Sequence, residues 1–262
     1  MAVLRGTNGN DAISGTGSAD IIYGNGGNDR LWGLGGNDTI YGGAGNDTMY
    51  GGAGNDTYYV GEAGDRVIDD SGTADRVFLF TSWDLRNATG IEQVLLQEEA
   101  GRATVLGAAA NDSIVGNSFA NRLEGGAGND KLRGGGGDDT LVGGTGNDQL
   151  YGGDGNDRLV SVSGHDTLHG GPGADTFYID PIDPNDILHI HFADFRPEEG
   201  DRIIIDIGGA PHEIWQGSST DNGPPAPGEP VSTMIEAYGG TGTVFMHFAG
   251  HSYGIDPYID WI

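Results

Sequence analysis

A nine-residue period runs without a gap from Gly6 to Tyr59 and resumes in the same register from Gly107 to Tyr178, and it restricts the possible folds more than any other feature of the chain. The clearest pair of copies is Gly-Gly-Ala-Gly-Asn-Asp-Thr-Met-Tyr at 42–50 followed by Gly-Gly-Ala-Gly-Asn-Asp-Thr-Tyr-Tyr at 51–59. In the first block the sixth position is always aspartate: Asp11, Asp20, Asp29, Asp38, Asp47 and Asp56. The eighth is always apolar or aromatic: Ile13, Ile22, Leu31, Ile40, Met49 and Tyr58. The second block carries Asp112, Asp130, Asp139, Asp148, Asp157, Asp166 and Asp175 at the sixth position, with Asn121 as the exception. Its eighth positions are Ile114, Leu123, Leu132, Leu141, Leu150, Leu159, Leu168 and Phe177.

Residues seven to nine of each copy read as a short strand whose middle side chain turns inward, and the first six as a turn in which glycine permits left-handed backbone and close approach. One copy cannot bury its single apolar side chain, but stacked copies can, because the eighth-position residues then line up between two parallel sheets. If each copy makes half a coil, a full coil takes 18 residues and same-side aspartates such as Asp29 and Asp47 lie roughly one strand spacing, about 4.8 Å, apart.

Composition sharpens the problem this stacking creates. With 39 Asp+Glu against 12 Lys+Arg, a formal charge of −27 and 51 glycines in 262 residues, the chain alone has the profile of a polymer that resists collapse. Such a polyanion is not suited to nucleic acid or to an anionic membrane surface, and it attracts cations. There is no cysteine to supply disulfides or thiolate zinc sites, and no apolar run approaches a membrane span. The N-terminus is not followed by the apolar stretch of a secretory signal.

A flexible linker would not hold an apolar residue in phase with an aspartate. A solenoid in which Asp and Asn only make turns is the competing reading. Like charges one rung apart repel, and a hard divalent cation coordinated at about 2.3–2.6 Å by carboxylate and carbonyl oxygens reverses that sign. Calcium suits flexible, carbonyl-rich loops better than magnesium, and transition metals would want the His or Cys that do not recur in the repeat.

The motif Gly-Gly-x-Gly-x-Asp-x-apolar-x resembles the RTX, or hemolysin-type calcium-binding, repeat, whose fold is a parallel β-roll. The resemblance implies calcium bridging same-side turns, held by aspartates of two coils and by backbone carbonyls of the first four positions. Carried onto this chain, one aspartate column runs through Asp11, Asp29 and Asp47 and the opposite one through Asp20, Asp38 and Asp56, with the second block arranged in the same way. The implied carbonyl ligands are Gly24, Gly26, Gly33, Gly35, Gly42, Gly43, Ala44, Gly45, Gly52 and Gly54 in the first block. In the second they are Gly125, Ala127, Gly134, Gly136, Gly143, Gly144, Thr145, Gly146, Gly153 and Gly155. Copies that depart from the pattern, at Ser18-Ala19, at Phe119 with Asn121, and at Ser161-Val162, are weaker candidates. About eight to ten ions are expected, with affinities of about 10⁻⁴ to 10⁻³ M as in extracellular modules.

Four regions follow: a first roll block (1–59), an irregular β-solenoid connection (60–106), a second roll block (107–178) and a C-terminal capping region (179–262). Residues 60–106 lose the period but keep β runs such as Arg76-Val77-Phe78-Leu79-Phe80 and Val94-Leu95-Leu96. The segments Asp65-Arg66-Val67 and Asp75-Arg76-Val77 are similar to those between repeat blocks of large RTX proteins, which implies one continuous solenoid. Beyond Ile179, strands at 187–192 and 203–207, a proline-rich loop at 222–230 and two more strands are expected. The run Ile190-His191-Phe192-Ala193-Asp194-Phe195 with Gly200-Asp201-Arg202-Ile203-Ile204 resembles the segment that closes the β-roll of secreted metalloproteases. A cap is required because an open solenoid end exposes apolar side chains and unpaired edges. The ending Tyr258-Ile259-Asp260-Trp261-Ile262 resembles the uncleaved type I secretion signals of the family.

Other motifs carry less. Gly250-His251-Ser252-Tyr253-Gly254 matches a nucleophile elbow, but only eight residues follow and none is histidine, so a turn is the better reading. His189 and His191 alternate on a strand without a third ligand, and His212-Glu213 lacks a second histidine. The ninth-position aromatics Tyr23, Tyr41 and Tyr59, with Trp32 and Tyr50 on the other sheet, are either cross-strand stacks or a contact for extracellular polysaccharide.

The expectation is an all-β protein, a parallel β-roll in two repeat blocks with a C-terminal β cap. It is secreted by type I machinery and non-catalytic, and it folds on extracellular calcium. Alternatives are the C-terminal module of a larger RTX exoenzyme (protease, lipase or alginate epimerase) and a self-associating surface-layer or adhesive protein.

Overall fold

The computed structural model describes residues 1–69, 71–180, 188–196, 199–205, 212–213, 235–239 and 242–248. Strands stack at the 18-residue step that the repeat implies: Ile22 pairs with Ile40 and Leu31 with Met49 in the first block, Leu132 with Leu150 and Leu141 with Leu159 in the second. The fold is a parallel β-solenoid. One wall is a single 13-stranded sheet, and the other consists of a 5-stranded and an 8-stranded sheet. Among the described residues the helical elements are two 3-10 turns, Leu85–Asn87 and Glu98–Ala100, and no helix is long and apolar enough to cross a membrane.

The eighth-position residues form the core. From Ile22 to Tyr58 and from Ile114 to Phe177 each is fully buried, whereas Ile13, on the first complete coil, is only half-buried. Alternation along the strand explains this, since the residue between two outward-facing neighbours points between the sheets.

Strands in the regular copies are longer than the three residues expected. Ile21–Gly26, Thr39–Ala44, Lys131–Gly136 and Thr140–Thr145 each run six residues, from the seventh position into the third position of the next copy. The ladder continues through Asn25↔Gly43 and Gly26↔Ala44 because the glycine between leaves no side chain to interrupt it.

Between the blocks the 13-stranded sheet continues without a break through Tyr58↔Val77, Val77↔Val94 and Val94↔Ile114, at steps of 19, 17 and 20 residues. The other wall is interrupted. Ala88–Thr89 ends the sheet of the first block, Trp83–Asp84 begins that of the second, and the 3-10 turn Leu85–Asn87 joins them, with the Asp84 carboxylate accepting from Arg86 N–H. Buried Trp83 and Leu85 fill the core here, and Trp83 Nε1 donates to the Asp65 carbonyl at 3.2 Å.

At the C-terminal end Leu188–Phe192 and Arg202–Ile205 add further parallel strands to the two walls. The direction then reverses: His212–Glu213 pairs antiparallel with Arg202–Ile205, and Ile235–Gly239 antiparallel with Gly242–Phe248. The proline-rich loop, the Ser252 motif and the final Tyr258–Ile262 segment lie outside the described residues, as do the side chains of His189 and His212-Glu213.

On the outer face the ninth-position rings lie flat on one another, Tyr23 on Tyr41 at 4.7 Å, Tyr41 on Tyr59 at 4.1 Å and Trp32 on Tyr50 at 5.4 Å. Their faces are turned to neighbouring rungs, which supports the cross-strand stacking reading.

Leu34 is out of keeping with the turn it occupies. It holds φ 78 at the second position, where Gly43, Gly52, Gly135 and Gly144 sit in the same left-handed region, and its side chain is 53 % exposed. The backbone there disfavours an L side chain, and an exposed leucine contributes little in return. Leu34→Gly is therefore expected to stabilise the calcium-loaded protein by about 0.5–1 kcal/mol, read as a higher midpoint in thermal or denaturant unfolding.

Candidate metal centres

Each sixth-position aspartate ends the turn just before a strand, except Asp166, which lies inside the strand His165–His169, and the 18-residue step stacks these residues into columns. The backbone N–H of one aspartate donates to Oδ1 of the next: Asp11 to Asp29, Asp29 to Asp47 and Asp47 to Asp65, at 2.7–2.9 Å. The opposite column runs from Asp20 through Asp38 and Asp56 to Asp75. In the second block Asp112, Asp130, Asp148 and Asp166 form one column, and Asn121, Asp139, Asp157, Asp175 and Asp201 the other.

This arrangement employs one carboxylate oxygen and leaves the other. Among the described residues, Oδ2 of Asp29, Asp38, Asp47, Asp56, Asp75, Asp130, Asp139, Asp148, Asp157 and Asp175 is buried without a hydrogen-bond partner. The neighbours of that oxygen are other oxygens. A Cβ built on Gly24 would collide with the Gly42 carbonyl oxygen and Asp29 Oδ2 together. The same holds at Gly33 with Asp38 and Gly51, at Gly125 with Asp130 and Gly143, and at Gly134 with Asp139 and Gly152. A carboxylate and the first-position carbonyl of the next rung thus converge beside a glycine that must lack a side chain.

The electrostatics follow from that geometry. Burial, opposed by the N–H bond from the preceding column member (Asn121 for Asp139, an aspartate for the others), pushes Asp38, Asp56, Asp130, Asp148 and Asp157 up to about 6 and Asp139 and Asp175 to about 7. Neighbouring carboxylates add to the rise. An unpartnered buried polar atom costs about 1–3 kcal/mol and a charged one more; ten of them rival the about 5–15 kcal/mol that stabilises a whole domain. A donor set of carboxylate and carbonyl oxygens, without His or Cys, fits a hard cation of the calcium type.

The family model for the RTX calcium-binding nonapeptide repeat matches residues 5–40, 23–58, 32–67, 106–141, 133–168 and 151–178, more than half of the chain in total. The chain belongs to the RTX calcium-binding family. No curated protein matches it.

Within the RTX repeats the expected carbonyl ligands fall into three settings. First-position Gly24, Gly33, Gly42, Gly125, Gly134 and Gly143 turn their carbonyl oxygens to the preceding rung's first glycine, toward the carboxylates. Second- and fourth-position Gly43, Gly45, Gly52, Gly54, Gly144, Gly146, Gly153 and Gly155 form the left-handed bends of the turn. Third-position Gly26, Gly35, Ala44, Ala127, Gly136 and Thr145 end the strands, and the carbonyls of Ala44 and Thr145 accept N–H bonds from Gly27 and Gly128.

Copies that depart from the consensus satisfy their own aspartate. Asp11 Oδ2 accepts from the N–H and hydroxyl of Thr7, and Asp20 Oδ2 from those of Thr16. Asp112 Oδ2 accepts from Ala108 N–H, Asn121 Oδ1 from Asn117 N–H, and Asp166 Oδ2 from the Ser161 hydroxyl. Bonds from Ala2 N–H and the Thr16 hydroxyl hold Asp20 below the usual carboxylate range, whereas burial outweighs the turn bonds of Asp112 and Asp166 and raises both.

Three column members lie outside the two repeat blocks: Asp65, which keeps the 18-residue step from Asp47, and Asp75 and Asp201, which follow Asp56 and Asp175 at steps of 19 and 26 residues. Each is followed by arginine and then an apolar residue that enters the core, Val67, Val77 or Ile203, and that Asp-Arg-apolar signal was present in the sequence.

Two outcomes follow. The folded, metal-free chain has carboxylates near 6–7 that titrate at about 3.8 when exposed, so it takes up protons between about pH 4 and 7 that the unfolded chain does not. Acidification from pH 7.5 to 5 should therefore stabilise the chelator-treated fold, seen as gained β signal in circular dichroism, while calcium affinity falls over the same window. Asp139→Asn, which alters an unpartnered oxygen, should weaken the calcium-driven transition by about tenfold at its site; Asp166→Asn, whose oxygen Ser161 already engages, should change it less in the same calorimetric titration.

Proposed function

We propose that this RTX β-roll protein is a secreted, non-catalytic calcium-responsive module that folds when it meets extracellular calcium. The observation that carries the reading is the set of buried, unpartnered Oδ2 atoms in the regular copies. In a low-calcium cytosol these carboxylates repel and keep the chain extended, the state in which type I machinery exports its substrates. Outside, calcium supplies the positive charge that the columns lack, and ligand binding adds directly to folding free energy.

Among the nonapeptide turns, those from Gly24 to Asp56 and from Gly125 to Asp157 hold the most complete donor sets and take the tightest ions. About eight to ten ions load in total, at about 10⁻⁴ to 10⁻³ M. The assignment as non-catalytic rests on how the described residues are used: the interior is given over to stacked aliphatic and aromatic side chains, and the turns to carboxylates and glycine.

The test is a calcium titration of the chelator-treated chain followed by circular dichroism and calorimetry. Calcium should produce a cooperative gain of β structure with about eight to ten ions per chain, and magnesium at the same concentration should not. A chain that kept its full β signal in chelator at neutral pH would refute the proposal.

A further inference from the structure

We propose that Asp56, Asp69 and Asp75 form a calcium site of a second kind at the end of the first repeat block, in which the column pair Asp56 and Asp75 is joined by Asp69, a third carboxylate outside the nonapeptide pattern. The register places Tyr50 opposite Ile68, so Asp69 follows in the position next to Gly51. Regular rungs have glycine there, with no side chain pointing inward. Asp69 instead projects a carboxylate into the solenoid and is only 4 % exposed.

A second departure accompanies the first. The core position of the preceding copy is Tyr58 in place of an aliphatic residue, and its hydroxyl donates to Asp69 Oδ2 at 2.6 Å. Asp69 Oδ1 accepts from Ser71 N–H, so the carboxylate is held from both sides. The Tyr58 hydroxyl, Asp56 Oδ2 and Asp69 Oδ2 all crowd the point where a Cβ on Gly51 would sit.

The third member comes from the next rung. Asp75 Oδ1 accepts from Asp56 N–H, and one carboxylate oxygen from each of Asp56, Asp69 and Asp75 lies within 4.8 Å of the other two. Asp56 and Asp75 are each 1 % exposed, and Oδ2 of both is without a hydrogen-bond partner. Two buried, unpartnered oxygens beside a third, fixed carboxylate constitute a hard-cation donor set with more negative charge than a repeat turn offers. Ligand charge count tunes calcium affinity, so this site should fill before the repeats and prefer trivalent lanthanides more strongly.

Crystals of the intact chain soaked with terbium provide the first test. An anomalous peak among Asp56, Asp69 and Asp75 is expected. Peaks in the repeat turns with none here would overturn this site and leave the calcium reading of the repeats intact; a peak here alone would do the reverse. No peak at either place would sink both.

Asp69→Asn supplies the solution test, because it keeps an acceptor for Tyr58 and Ser71 while removing one charge. With folding in excess calcium verified by circular dichroism, native mass spectrometry at limiting calcium should count one ion fewer than in the parent, and terbium should bind the junction about tenfold or more weakly. An unchanged ion count and unchanged terbium affinity would overturn the proposal. Should the variant not fold, the terbium map of the parent chain decides.

Discussion

The protein depends on a carboxylate stacked on its own copy one rung away. Parallel coils at an 18-residue step bring every sixth-position aspartate over the next, and the hydrogen bond from one backbone N–H to the following Oδ1 locks that stack in place. The same bond buries the second oxygen with other oxygens around it. The geometry that orders the turn thus also generates its electrostatic problem, which added positive charge, from protons or from a hard cation, relieves along a whole column.

The turn chemistry and the core are two results of one constraint. Glycine at the first position is needed because a carbonyl and a carboxylate already occupy the space of a Cβ, and this absence of side chain lets the strand run on past the aromatic at position nine. The alternation then places each eighth-position residue in the core, where Ile22, Ile40 and Leu132 are fully buried. Where a copy departs from consensus, the repair is local: Thr7, Thr16 or Ser161 donates a hydroxyl to the oxygen that would otherwise be unpartnered. Turns with an unpartnered carboxylate oxygen and self-satisfied turns therefore coexist within a single solenoid, the latter at the start of each block and at Asp166.

The connection between the blocks shows how the architecture tolerates irregularity. One sheet passes through it continuously while the other restarts, because a strand needs only a neighbour to pair with and not a constant loop length. Val77, Val94 and Leu79 keep the interior apolar throughout. The irregularity also places Asp69 where the repeat would put glycine, and Tyr58 is large enough to reach it.

By itself the sequence determined the period, the solenoid class, the core residues and the aspartate columns of the regular copies, because the alternation of strands and the charge of aspartate act locally and repeat. Only the tertiary structure decided the six-residue strands, the capping of irregular aspartates by Thr7, Thr16 and Ser161, and the pairing of Asp75 with Asp56 and of Asp201 with Asp175. The last two pairings depend on which residues meet across coils whose lengths vary, as in the 17-, 19- and 20-residue steps between the blocks. Once loop length is not constant, spacing along the chain no longer reports proximity in space, and hydrogen bonding across the rungs sets the register instead.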